Sequence, residues 1–154
     1  MAITEVTGIM SAKKLINDKL TTDFAAELEV TTLKTGRIED YQTDHPKGAL
    51  IIHYDGSAFS KSKSSTIIFQ DRDLRIPIFM QVRLEMGLDY RDDLIDRVIS
   101  SISGLKIKSV TKTDRSRVNA DDYLASEKEE SKKFYEHSIV IIVPGEFKQA
   151  NGNI

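Results

Sequence analysis

At 154 residues, the chain has room for one domain with an ordinary hydrophobic core. Its 40% hydrophobic and 30% charged residues and its lack of cysteine fit a soluble globular domain and exclude disulfides, thiolate nucleophiles and cysteine-ligated zinc or iron–sulfur centres. A formal net charge of −2 gives no general attraction to nucleic acid or anionic lipid, and His45, His53 and His137 are the only imidazoles.

Residues 1–20 lack the apolar run and small-residue cleavage pattern of an export signal. The longest purely apolar run, residues 139–143, falls far short of the ~20 residues that span a bilayer. The expectation is an unprocessed cytoplasmic chain without membrane contact. Ile9, Ala12, Leu15, Ile16 and Leu20 recur at the helical period, predicting a helix over 9–20. Residues 21–33 are ambiguous: Ala25, Ala26 and Leu28 could extend the helix, whereas Val30, Thr31, Thr32 and Leu33 prefer a strand.

Residues 49–54 predict a strand entered through His45 and Pro46 and left through Asp55 and Gly56. Both of its faces are largely apolar, so helices or a neighbouring subunit should cover both. Residues 57–66 form a Ser/Lys-rich loop with Phe59 as the large apolar residue. Next, Leu74, Ile76, Ile78, Met80, Val82 and Leu84 alternate with Arg75, Pro77, Phe79, Gln81, Arg83 and Glu85, a long strand with one buried and one polar face. Ile67 and Phe69 fall in the opposite phase, which predicts a bulge or turn over 70–73. Pro77 cannot donate to a ladder and so predicts a sheet edge. Such an edge needs a cover, and an identical subunit would supply one.

Residues 89–104 predict a helix, with Asp89, Asp92 and Asp93 at its positive end, Gly104 at its stop and a stripe of Leu94, Ile95, Val98, Ile99 and Ile102. Residues 105–110 can return as a short strand, and 111–133 read as a solvated loop or short exposed helix. Residues 134–143 read as a central strand stopped by Pro144 and Gly145, leaving 144–154 as a loosely ordered tail. The fold class expected is a single α+β domain over 1–154: one mixed, mostly antiparallel sheet of four to five strands with two helices packed on it.

Chemistry-bearing patterns are sparse. Asp71 and Asp73 share a strand face beside Arg72 and Arg75. Such paired carboxylates, with Glu85 as a further member, could serve a small metal-dependent nuclease or phosphatase, but a hydrated turn or bulge is the better explanation. Glu146 and Lys148 give a Glu-x-Lys triplet without a convincing upstream acidic partner. His53 and His137 read as core or interface residues, no phosphate-binding glycine motif is present, and residues 61–65 lack the aromatics of a nucleic-acid groove. The expectation is a protein with no catalytic residue, cofactor or metal site. A generic protein-binding adaptor is a further possibility.

Residues 45–60 (HPKGALIIHYDGSAFS) are followed by a long strand carrying Gln70, Arg72, Leu74, Ile78 and Val82, an amphipathic helix ending near Gly104 and Leu105, and a final strand opening on Phe134 and Tyr135. This succession resembles the Mu-like prophage tail terminator (tail-completion) proteins of contractile-tailed phages. The resemblance implies a tail-terminator fold and a homohexameric ring that caps the tail tube, stops its polymerisation and offers the head-joining surface. Its partners would be the tail tube or sheath protein and the head–tail connector, in the host cytoplasm during assembly and then in the virion tail. The tract 111–133 is longer and more charged than that pattern leads one to expect. On this reading Pro77, Phe79, Gln81 and Arg83 make the subunit contact, while Phe59, Lys61, Lys63, Arg115 and Arg117 sit on loops that dock the tail or head.

Overall fold

Two strands of fifteen residues each organise the molecule. In the computed structural model, which describes residues 3–124 and 133–149, β1 (Thr4–Glu5) leads into α1 (Ile9–Phe24), β2 (Glu29–Thr32), β3 (Gly48–Ile52), β4 (Gly56–Phe59) and the long β5 (Phe69–Arg83). Then come α2 (Leu88–Ile102), β6 (Lys106–Lys108), β7 (Thr113–Arg115), β8 (Arg117–Tyr123) and the long β9 (Phe134–Lys148). β5 and β9 pair antiparallel along their whole length, from Phe69 opposite Lys148 to Arg83 opposite Phe134.

Around this ribbon a six-stranded sheet forms in the order β2-β3-β5-β9-β8. β2 runs parallel to β3, and the other pairs are antiparallel. β4 continues the pairing on β5 beyond the point where β3 stops. A separate three-stranded sheet has the order β1-β6-β7. The α+β class with two helices therefore holds, but two sheets with nine strands among the described residues replace the expected single sheet of four to five. The extra strands are short or polar: β7 and β8 contain few apolar residues and are held by backbone pairing, which hydrophobic periodicity does not register.

Leu74, Ile76, Ile78, Met80 and Val82 of β5 and Ile139, Ile141 and Val143 of β9 pack in one core with Ala12, Ile16, Leu20 and Phe24 of α1 and Leu94, Val98 and Ile102 of α2. α1 runs past the expected Leu20 because Phe24 completes the same buried stripe at four-residue spacing. It starts where the Ser11 hydroxyl accepts from the Thr7 and Gly8 N–H groups, satisfying donors that a helix start leaves open. α2 agrees closely with expectation, and Gly104 beyond it takes φ +75°, where a side chain would be strained.

Three sequence expectations are corrected. No bulge interrupts β5 at 70–73, since its register with β9 is continuous there; Phe69 simply lies on the other face, the one that carries Phe79. Pro77 is buried in the middle of the sheet. Its carbonyl accepts from His53 N–H at 3.2 Å, so its nitrogen faces His53 just past the end of β3 at Ile52, where the sheet forgoes one ladder bond. Pro144 and Gly145 do not end β9, which runs to Lys148. The part of the expected loose tail at 150–154, like residues 125–132 of the charged tract, lies outside the described residues; within that tract, β7 and β8 stand where a loop or helix was expected.

Gly48 fixes how closely β3 approaches β5. A Cβ there would lie 2.0 Å from the Gln81 carbonyl oxygen, and φ is +147°, so no other residue fits without moving a strand. No helix among the described residues is long and apolar enough to cross a membrane.

Candidate functional site

Beyond the helices the β5–β9 ribbon carries charge. Register places Asp71 opposite Glu146, and the Glu146 side chain is fully buried. A buried carboxylate survives only if its oxygens are satisfied, and here the β6–β7 connection supplies the donors. Ser109 Oγ and Thr111 N–H donate to Oε1 at 2.7 Å each, Lys112 N–H to the same oxygen at 3.2 Å, and Thr111 Oγ1 to Oε2 at 2.8 Å. Lys63 Nζ, from the loop after β4, stands 2.9 Å from Glu146 and 2.7 Å from Asp71. Lys112 Nζ lies 3.1 Å from Asp71. Burial alone would push the Glu146 carboxyl up, but the Thr111, Ser109 and Lys63 donors together hold it well below the usual carboxylate range. Lys63 and then Lys112 lower Asp71, while Asp71 and then Glu146 raise Lys63.

This arrangement locks the small sheet and the β4–β5 loop to the end of the ribbon. Asp73, the other half of the acidic doublet, pairs with Arg117 at 3.2 Å. Both aspartates thus face cations of this chain, and Glu85 sits at the opposite end of β5. Ten residues of strand from Asp73 to Arg83, roughly 33 Å at ~3.3 Å per residue, and then a short helical turn separate it from Asp73. No group of three or more metal-ligating side chains occurs among the described residues.

On the opposite face of the same end of the ribbon from the charged lock, by strand alternation, is an apolar surface. Phe59 and Phe147, 52% and 40% exposed, meet edge to face with ring centres 6.4 Å apart. The Arg72 guanidinium lies 5.4 Å from the centre of the Phe59 ring, and Gln70 completes the lining of the depression between them. Such an array of aromatic and guanidinium groups suits a protein contact better than a reaction.

The structure distributes the candidate residues unevenly. Phe59 and Lys63 meet at this tip, with Lys61 on the same exposed loop. Arg117 reaches it through Asp73. Arg115 instead donates to the Gly104 carbonyl at 2.9 Å beside the end of α2. Pro77, Phe79 and Gln81 are buried inside this chain and Arg83 is half-buried, so the face expected to meet a second subunit is already covered. Ala49, Ile51 and Phe79 pack there against Leu33, Ile38, Tyr41 and Leu124. Gln81 accepts from Thr43 N–H at 3.0 Å and donates to the Tyr41 carbonyl at 2.8 Å, and Arg83 donates to the His45 and Thr43 carbonyls. These two side chains clamp residues 41–45 onto the sheet. Strict alternation made the face look polar because its buried polar groups bind backbone rather than water.

The histidines also have partners. His45 Nδ1 accepts from Lys47 N–H at 3.1 Å, His137 Nε2 is 3.1 Å from Asp121, and burial lowers the pKa of His53. Sequence reasoning missed the Glu146 lock because it placed that residue in a loose tail. Its signal was the alternation of apolar and polar residues running on past Pro144.

A family model described as Gp37 protein matches residues 17–139, from within α1 into β9. No curated protein matches the chain.

Proposed function

The chain belongs to the Gp37 protein family, a family of phage proteins, and from that premise we propose that it is a non-enzymatic tail-assembly protein that caps the tail tube. As a tail terminator it forms a homo-oligomeric ring, hexameric by its resemblance to Mu-like terminators, on the last tube ring. It stops polymerisation there and presents the head-joining surface. It acts in the cytoplasm of the bacterial host and remains in the virion tail. The observation that carries this reading, beyond family membership, is a rigid ribbon whose outer end presents Phe59, Phe147 and Arg72 on the face opposite a charge-locked loop, a surface built for contact. The tube or sheath protein on one side and the head–tail connector on the other are the partners this role requires.

Disrupting the gene in the phage or prophage that encodes it, followed by electron microscopy of the lysate, tests the proposal. Tails of irregular length without heads are expected; headed tails of uniform length would sink it. A metal-dependent nuclease or phosphatase would have to free Asp71 and Asp73 from Lys63, Lys112 and Arg117. Calorimetry with magnesium and manganese, paired with a plasmid-cleavage assay, addresses that alternative. Native mass spectrometry separates a ring from a monomeric adaptor by subunit count.

A further inference from the structure

The six-stranded sheet ends on β2 and β8, each paired on one side only among the described residues. Strand alternation shows which peptide groups face outward. Leu33 N–H donates inward to the Ile52 carbonyl, so Val30 and Thr32 turn their N–H and C=O groups out. Among these, only the Thr32 carbonyl meets a side chain, the Thr31 hydroxyl at 3.5 Å. On the far side Leu124 N–H donates inward to the Glu136 carbonyl, so Asp121 and Tyr123 present theirs outward. Rows of open groups like these are templates for another strand.

The two edges match in direction and in charge. β8 is antiparallel to β9, β9 to β5, and β5 to β3, while β2 is parallel to β3. β2 and β8 therefore run in opposite directions, and a copy that continues the sheet by laying its β8 beside β2 makes an antiparallel ladder, the more stable pairing. Above β2 a groove against α1 is lined by Lys13, Lys14 and Lys34. Lys14 is engaged with Asp18, whereas Lys13 and Lys34 have no ion-pair partner among the described residues. β8 carries Asp121 and Asp122, and its Arg117 is already held by Asp73. On the α1 side the β2 edge is thus left with two spare positive charges, with Glu29 on its other face, while β8 turns Asp121, 3.1 Å from His137 Nε2, to the α1 side and Asp122 to the other. Met10 on α1 and Tyr123 on β8, 84% and 61% exposed, add an apolar contribution at the two edges.

We propose that β2 of one copy pairs antiparallel with β8 of the next, the Lys13 and Lys34 groove receiving Asp121 of that edge. The contact joins two different surfaces, so repeating it adds copies head to tail and closes a ring when the rotation permits. The proposal rests on the ring reading above and names its interface.

Native mass spectrometry and light scattering of the full chain over a concentration series test it. Wild type should give assemblies larger than a dimer. Lys13→Glu with Lys34→Glu, and separately Asp121→Lys, should each raise the concentration for half-assembly roughly tenfold or more. An equimolar mixture of the two variants should restore assembly, because each then supplies the edge that complements the other. Val30→Pro, which removes one outward N–H, should also give folded monomers by circular dichroism. If both charge variants assemble like wild type, the edge contact is wrong and the ring reading stands. A wild type that stays monomeric throughout overturns the contact and leaves the ring reading to the tail-length experiment. A variant that assembles more strongly than wild type would show that these charges guard solitary edges, which also overturns the proposal.

Discussion

The two halves of the β5–β9 ribbon differ in what holds them. In the inner half, Leu74, Ile76, Ile78, Met80 and Val82, with Ile139, Ile141 and Val143, are packed under two helices with almost no exposure. In the outer half, Asp71 and Glu146 lie opposite each other and are held by lysines and by the Ser109, Thr111 and Lys112 donors. The same backbone ladder runs through both. The inner half draws its stability from water removed from apolar surface, the outer half from satisfying a buried charge. The inner half should therefore be sensitive to volume and the outer half to pH.

The strongest break is expected at the strand contact under the core. Gly48→Ala should destabilise the protein by on the order of 4 kcal/mol, since relief of the clash with the Gln81 carbonyl requires β3 to move. Urea unfolding measures this, and a loss below 1 kcal/mol, roughly the ordinary cost of a minor surface change, would show that β3 sits looser than described. Glu146→Ala strands buried donors in the outer half and should cost about 2–3 kcal/mol. Its mark should be local: hydrogen exchange should speed up at Thr111 and Lys112 while α1 and α2 stay protected.

pH separates the halves more finely. The folded-state pKa of Glu146 lies below its unfolded value, so its contribution is fully present above the unfolded pKa of about 4.3 and is lost as pH falls through the depressed folded value. Asp71 behaves in the same direction. The stability difference between wild type and Glu146→Gln, taken from denaturation midpoints, should therefore be constant near neutrality and shrink in acid; a difference that grows in acid would contradict the lock. The smallest effect is expected at Phe59→Ala. That side chain is half exposed, and its loss should alter stability by under about 0.5 kcal/mol while weakening attachment to tail tubes in a pelleting assay.

How much of this the sequence disclosed follows from what holds each part together. α2 and the inner ribbon were legible because a repeated apolar spacing and a helix-ending glycine are local signals. β8 was not, because Arg117 to Tyr123 are mostly polar and are held by backbone pairing to β9, which leaves no apolar spacing to read. Pro77 misled because a proline shows that a donor is missing, but not that the missing bond falls just past the end of β3, inside the sheet. Gln81 and Arg83 read as a solvent-facing stripe, since nothing in their spacing reveals that residues 41–45 fold back to receive their hydrogen bonds. For the tip, Phe59 and Lys63 were picked out from the sequence, whereas Glu146 needed three separate segments to be brought together.

Pro144 gives the ribbon's end a further property. It lies past Ile142, the last β9 residue that β8 accompanies, and by the alternation of β9 its nitrogen faces the side β8 has vacated. One donor is therefore missing from that flank, which makes it a poorer template for a stray strand.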